Sequence, residues 1–378
     1  MKYASIKMVL SVSILIIAAF VVMRTGPMGQ RSCFTFLFPS EGSLLVGHNL
    51  DENMKVPGLI VINPRGVSKE NISYSDIKAG ERGRGLRRLR WVSKYGSLTY
   101  NVFGKEFPDG GLNEAGLYVG EMTLMGTEWP AREDVAGFYH HHWMQYLLDN
   151  FATVDEALSS LSTALPEGHC QWHFFLADKN GKAAVVEFIG GKPVVYSGEK
   201  LPHTILGNDR YDLELKDILN YKGFGGGKDP APKYEKEDPR FRWAALMFRE
   251  PPKTEPSVDF AFRALKKADL GNNKWALVYD ITGKKLYFRT SEQPSLKWID
   301  ISVLDFSCSK MTRAIDIHQK AEGDSTGRFA ALDNEKNAEA VKRAWAEIDA
   351  GFAGNAFWKP KMVKGQIALS SGFKCSGE

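Results

Sequence analysis

Cysteine is scarce in this chain, with four among 378 residues, at Cys33, Cys170, Cys308 and Cys375. None stands in a CxxC pair, which leaves a structural zinc site without support from spacing, and no metal is expected. An even count admits two disulfides. If Cys33 stays free, one bridge and one spare thiol remain, and spacing does not fix the pairing. Phosphate-binding glycine patterns are missing too. There is no GxGxxG and no P-loop, and Gly225, Gly226 and Gly227 read as a flexible loop. Nor does the body of the chain carry excess charge. The first 32 residues hold Lys2, Lys7, Arg24 and Arg31 and no acid. With 49 basic and 45 acidic residues in all, residues 33–378 carry 45 of each. A neutral body argues against nucleic acid as a partner. No internal repeat is evident.

No apolar run reaches the roughly 20 residues of a membrane-spanning helix. Residues 8–23 (MVLSVSILIIAAFVVM) come nearest and follow a short basic start, which reads as an export signal. No small-x-small cleavage site precedes Arg24, so an uncleaved membrane tether through residues 8–23 stays open beside it. The expected organisation is residues 1–32 as signal or anchor and propeptide, removed. Residues 33–378 form a single domain with a C-terminal extension after about residue 291. The protein is then periplasmic or extracellular, or anchored facing outward.

What is present is globular in kind, with 43% hydrophobic and 25% charged residues. Residues 33–38 (CFTFLF) read as a strand that begins at a cysteine. Turn chemistry at 39–43 and an apolar run from Leu44 to Val46 make a hairpin. It returns residues 47–51 (GHNLD) to the side of Cys33. Residues 172–196 read as a strand meander, and 275–290 as a further hairpin. Helices are expected at 138–150, from the capping box of Thr153 and Glu156 through Leu161, at 211–220, at 257–268 with Ser257 as N-cap, and at 335–348. His140, His141 and His142 would point in three directions on a helix, which argues against a three-histidine metal site. Residues 66–90, ending in Arg82, Arg84, Arg87, Arg88 and Arg90, read as a solvated loop; a patch for anionic substrates or a membrane surface is the other reading. Residues 223–239 are the loosest segment. Hairpins dominate, so antiparallel sheets packed with helices are expected.

A cysteine at a strand start is most often a small core residue. Its place after the leader, and the polar His48, Asn49 and Asp51 on the returning arm, raise a functional reading. Here the sequence resembles the choloylglycine hydrolase family, the bile salt hydrolases and penicillin V acylases. Cys33 with 47–51 is similar to the family's first two motifs. Residues 63–66 (NPRG), 91–97 (WVSKYGS), 110–117 (GGLNEAGL), 149–156 (DNFATVDE), 206–208 (LGN), 240–241 (RF) and 275–290 follow in the family's order. The resemblance runs from Cys33 to about Thr290. It implies an αββα N-terminal nucleophile hydrolase sandwich, two antiparallel sheets between helix layers, and no cofactor.

The implied chemistry needs a terminal cysteine. Cleavage of the Ser32–Cys33 bond, by proteolysis or self-processing, frees an α-amine with an ordinary pKa of about 7.7–8.0, suited to take the thiol proton. The thiolate attacks a linear amide of a small N-acyl substrate, and water releases the acid from the acyl-enzyme. By resemblance, Asp51 orients the amine or thiol, Asn208 donates to the oxyanion and Arg240 stabilises the thiolate, with Arg242 close enough to be the true match. Two positions depart from the family. His48 stands where arginine is usual, so substrate contact or pH dependence should differ. The second oxyanion position falls at Thr123, with Glu121 nearby, where asparagine or tyrosine is usual. Related enzymes assemble as tetramers, so a homo-oligomer is admitted. Two other readings stay open: a non-catalytic binding protein of the same fold, and a papain-like enzyme pairing cysteine with His169 or His173.

Overall fold

The computed structural model describes residues 33–40, 42–52, 54–84, 87–131, 134–230, 239–249, 251, 257–347 and 358–376. They belong to one compact unit, Ser32–Glu378. The expected export segment, the Ser32 side of the scissile bond and part of the loose 223–239 segment lie outside the described residues.

Phe34–Ser40 and Ser43–Asp51 pair antiparallel, with Phe34 opposite Asn49 and Ser40 opposite Ser43. Side chains alternate between the faces of this hairpin. Phe36 and Phe38 lie against Phe248 and Phe260 of the covering helices, while His48 lies against Tyr100 of the opposing sheet. Gly47 sits opposite Phe36, and a Cβ there would come 2.3 Å from the Phe36 ring. Only glycine lets that ring cross the neighbouring strand.

The hairpin is the heart of a seven-stranded sheet. Its order is Ile205–Leu206, Phe34–Ser40, Ser43–Asp51, Asn273–Asp280, Lys285–Thr290, Lys297–Asp300 and Gly323–Asp324. A nine-stranded sheet runs Lys192–Ser197, Ala183–Ile189, Trp172–Ala177, Tyr118–Thr123, Gly110–Asn113, Ser97–Asn101, Leu59–Asn63, Arg313–Asp316 and Ala330–Ala331. Tyr100, Tyr118, Trp275 and Tyr279 meet between the sheets, and the Tyr279 hydroxyl donates to the Leu98 carbonyl at 3.2 Å. Ser257–Ala268 is apolar at 260, 261, 264, 265 and 268, and that stripe covers the seven-stranded sheet. His140–Asn150 covers the nine-stranded sheet. Helix, sheet, sheet, helix is the αββα order.

Several elements differ from their sequence reading. Phe138 and Tyr139 are strand rather than helix, paired parallel with Pro166 and Glu167. The helix opened by Thr153 has its full capping box, is α-helical to Ser159 and continues as a 3-10 turn over Ser160–Ser162. Ser257 is the first helical residue. The basic stretch is no solvated loop. It contains the strand Val67–Glu70 and the helix Tyr74–Ala79. Arg88 clamps Asp76 with two bonds of 2.6 and 2.8 Å, and Arg90 and Arg82 pair with Glu70. These internal pairs consume much of the charge that an anionic ligand would need. The chain after residue 291 is also no appendage, because it supplies strands to both sheets. Cys308 and Cys375 form a disulfide, leaving Cys33 and Cys170 free.

Candidate active site

Cys33 immediately precedes its strand, buried, with φ of +78°. That left-handed conformation is costly for a residue with a β-carbon. Burial pushes its thiol well above the ordinary range, and the charges of Glu121, Asp51 and Glu52 push the same way. A hydrogen bond from the Asp51 backbone N–H works in the opposite direction.

Arg240 ties the surroundings together. It opens the helix Arg240–Arg249 and is wholly buried. One terminal nitrogen donates to the Cys33 carbonyl at 3.2 Å and lies 3.4 Å from the Asp51 carboxylate; the other donates to Asn208 Oδ1 at 2.7 Å. Asn208 Nδ2 donates to the Thr123 carbonyl at 2.9 Å, and Asn273 Nδ2 donates to Asp51 Oδ1 at 2.8 Å. Cys33, Asp51, Asn208, Arg240 and Thr123 are thus one network, drawn from four strands' ends and one helix start. These contacts carry the Arg240 guanidinium to the Cys33 carbonyl. Arg242 faces elsewhere, over the Tyr221 ring at 4.2 Å and 3.8 Å from Asp217. Two residues along a helix is more than half a turn, which separates the two guanidiniums.

The thiol opens on a cavity of about 310 Å³. Leu50, Met54, Val56, Val102, Phe103 and Trp345 give it an apolar side; Glu52, Asp109 and Glu121 stand among its polar groups. No lysine or arginine is among the described lining residues. Glu121 is buried and its Oε2 has no partner; burial, then Asp109 and Glu52, hold its carboxyl well above the carboxylate range. Burial holds Asp109 up at about 7. Thr123 and Glu121, two apart on one strand, both reach the cavity.

His48 does not line this cavity. It is buried between the sheets with neither ring nitrogen hydrogen-bonded, and burial takes its pKa down to about 3. The expected neutral-range titration is therefore corrected: the ring stays uncharged because solvent does not reach it. His173 is likewise away from the cavity, bonded to the Gly207 carbonyl and Glu187. The three adjacent histidines diverge, His141 toward the Pro108 carbonyl and His142 toward the Glu106 carbonyl. Glu52, Asp109 and Trp345 escaped the sequence reading. Glu52 and Asp109 were findable, each standing beside a motif, whereas nothing local marks Trp345.

Solved structures place this architecture. A penicillin V acylase from Agrobacterium tumefaciens matches with a TM-score of 0.68 at 23% identity, covering 80% of this chain and 98% of that one. A variant of conjugated bile acid hydrolase from Clostridium perfringens matches at 0.60 and 16% identity, covering 77% and 98%. The fold is that of the N-terminal nucleophile hydrolases. Residues 33–242 match the model of the linear amide C–N hydrolases, choloylglycine hydrolase family, and the chain belongs to that family. Penicillin V acylase from Pectobacterium atrosepticum is 28% identical over 297 residues, 65% of this chain and 78% of the relative. The protein is accordingly a hydrolase of linear amide C–N bonds in small molecules, which sets aside the papain-like and non-catalytic readings.

Proposed function

We propose that Cys33, freed as a new N-terminus, is the nucleophile of an exported hydrolase that cleaves N-acyl amides with an uncharged or cationic amine side. The observation that carries this is Cys33 itself, at the cavity wall with its carbonyl held by Arg240. While Ser32 is attached, the thiol is raised by burial and acidic neighbours and is a poor nucleophile. Cleavage removes the constraint behind the positive φ. It also places a neutral α-amine beside the thiol and Asp51, and the ammonium formed when that amine takes a proton favours the thiolate. The α-amine then takes the thiol proton as sulfur attacks the amide carbon. Asn208 Nδ2 meets the developing oxyanion. Glu121, kept protonated by burial, has a hydrogen to give at the second oxyanion position. The amine leaves with a proton, and water frees the acid.

Export is supported by the apolar run at residues 8–23 and by the Cys308–Cys375 bridge, which persists in oxidising compartments. The amine preference follows from the cavity. An anionic amine side would meet Glu52, and Asp109 as it ionises, with no described lysine or arginine in the wall to pair it. A series of amides sharing one acyl group but with anionic, neutral and cationic amines tests the preference. Neutral and cationic members should exceed the anionic one by about tenfold or more in kcat/KM, on the order of 1.4 kcal/mol; equal rates would remove the charge argument. Intact-mass analysis should show a chain beginning at Cys33 and a covalent acyl adduct that Cys33→Ala lacks. Turnover by the Cys33→Ala chain would overturn the nucleophile assignment.

A further inference from the structure

Beside the same cavity lies a second set of donor atoms that amide hydrolysis does not use. His169 and Cys170 line it, and His169 Nε2 lies 3.6 Å from Cys170 Sγ. His140 completes the set: one ligand atom from each of the three residues lies within 4.8 Å of the other two. His140 is wholly buried, and neither Nδ1 nor Nε2 has a hydrogen-bond partner. A buried polar ring left idle in this way is rare in proteins and calls for an explanation.

The surroundings hold the three in place. The His140 ring stacks on Trp129 and meets Trp172 edge-on at 4.2 Å between centroids. Trp129 Nε1 donates to the Cys170 carbonyl at 2.9 Å. Gly168 makes the approach feasible, because a Cβ there would lie 2.0 Å from His140 Cδ2. The segment bearing His169 and Cys170 therefore closes on the His140 ring only with glycine at 168. Cys170 stands outside the disulfide.

We propose that His140, His169 and Cys170 form a three-ligand site for a borderline-soft divalent ion, Zn²⁺ first, with its fourth position open to the cavity. Two imidazoles and one thiolate suit zinc and offer nothing to calcium or magnesium, which take oxygen. With Zn–N near 2.0–2.1 Å and Zn–S near 2.3 Å, ligands on a tetrahedral ion stand roughly 3.3–3.7 Å apart. The His169–Cys170 pair already has that spacing, and the His140 ligand atom lies within 4.8 Å of both, so closing on the ion takes a shift of at most about 1.5 Å. On binding, the Cys170 S–H bond gives way to an S–metal bond and the proton passes to solvent. The adjacent triplet at 140–142 contributes one ligand, and the others come from a distant loop, which is why spacing within the triplet did not show the site.

Cys33 is a thiol in the same cavity, so the test removes it. Metal-free full-length chain carrying Cys33→Ala is titrated with Co²⁺ and then with Zn²⁺. The expected result is one equivalent bound, with a thiolate-to-cobalt charge-transfer band and the intense visible bands of a four-coordinate ion, both erased by Zn²⁺. Adding Cys170→Ser should abolish the charge-transfer band, and His140→Phe should weaken binding at least tenfold, with circular dichroism confirming that each variant is folded. If His140→Phe does not fold, Zn²⁺ protection of Cys170 from iodoacetamide in the Cys33→Ala chain serves instead. No charge-transfer band with Cys33→Ala, or a band that survives Cys170→Ser, would overturn the site.

Discussion

Burial holds the Asp109 carboxyl up at about 7 even though the Val102 backbone N–H donates to it at 2.6 Å. Desolvation outweighs that bond. The unfolded carboxyl titrates near 3.9, so between about pH 4 and 7 the folded state binds the extra proton. Its contribution is fully present below about pH 4 and is lost as pH rises through about 7. The expected stability loss is on the order of 1.4 kcal/mol per pH unit in that window. Urea unfolding of wild type and Asp109→Asn across pH 4–8 checks this. The wild type should lose ground against the variant as pH rises, and parallel curves would refute it. At this scale legibility depended on motif. Cys33, Asp51, Asn208 and Arg240 stood in ordered segments, and the structure brings the four into one network. His48 stood in a motif as well, yet its burial depends on Tyr100 across the sandwich, which no local pattern reveals.

Elements were readable where turn chemistry and periodicity act within a dozen residues. The hairpins at 34–51 and 273–290 and the helix Ser257–Ala268 are such cases. The basic stretch was not, because its meaning lies in partners. Arg88 bonds Asp76 on a helix too short to announce itself, and Arg90 and Arg82 share Glu70. Gly47 gives the element scale its test. The Phe36 ring lies 2.3 Å from where a Gly47 Cβ would be, and the Phe36 backbone is fixed by pairing on both sides. Gly47→Ala should therefore destabilise by about 1–3 kcal/mol through overpacking. Adding Phe36→Leu should recover part of that loss. Equal urea midpoints for Gly47→Ala and wild type would show that the ring moves aside freely.

At the scale of the whole molecule, the chain after residue 291 ties the two sheets to the cavity. It lies beyond the segments that resemble the family, and short strands such as Arg313–Asp316 and Gly323–Asp324 carry little periodic signal. Yet the helix Asn334–Glu347 brings Trp345 to the cavity wall, where it packs on Phe103. Gln366 of the helix Trp358–Ser370 accepts from Trp345 Nε1 at 2.6 Å. The strand that follows, Lys374–Cys375, pairs with Val67 and Ser68 and is bridged to Cys308, 67 residues earlier. A loop of that length gives a chain-entropy stabilisation of about 4 kcal/mol at most. Replacing both Cys308 and Cys375 by serine should lower unfolding stability by about 2–4 kcal/mol. Because the bridge holds the helix that positions Trp345, KM for a bulky acyl amide should rise several-fold while kcat holds, since the Cys33 network lies on other elements. Trp345→Ala should reproduce the KM change with a smaller stability loss. A double-serine variant with reduced stability and unchanged KM would show that the bridge staples the tail without shaping the cavity.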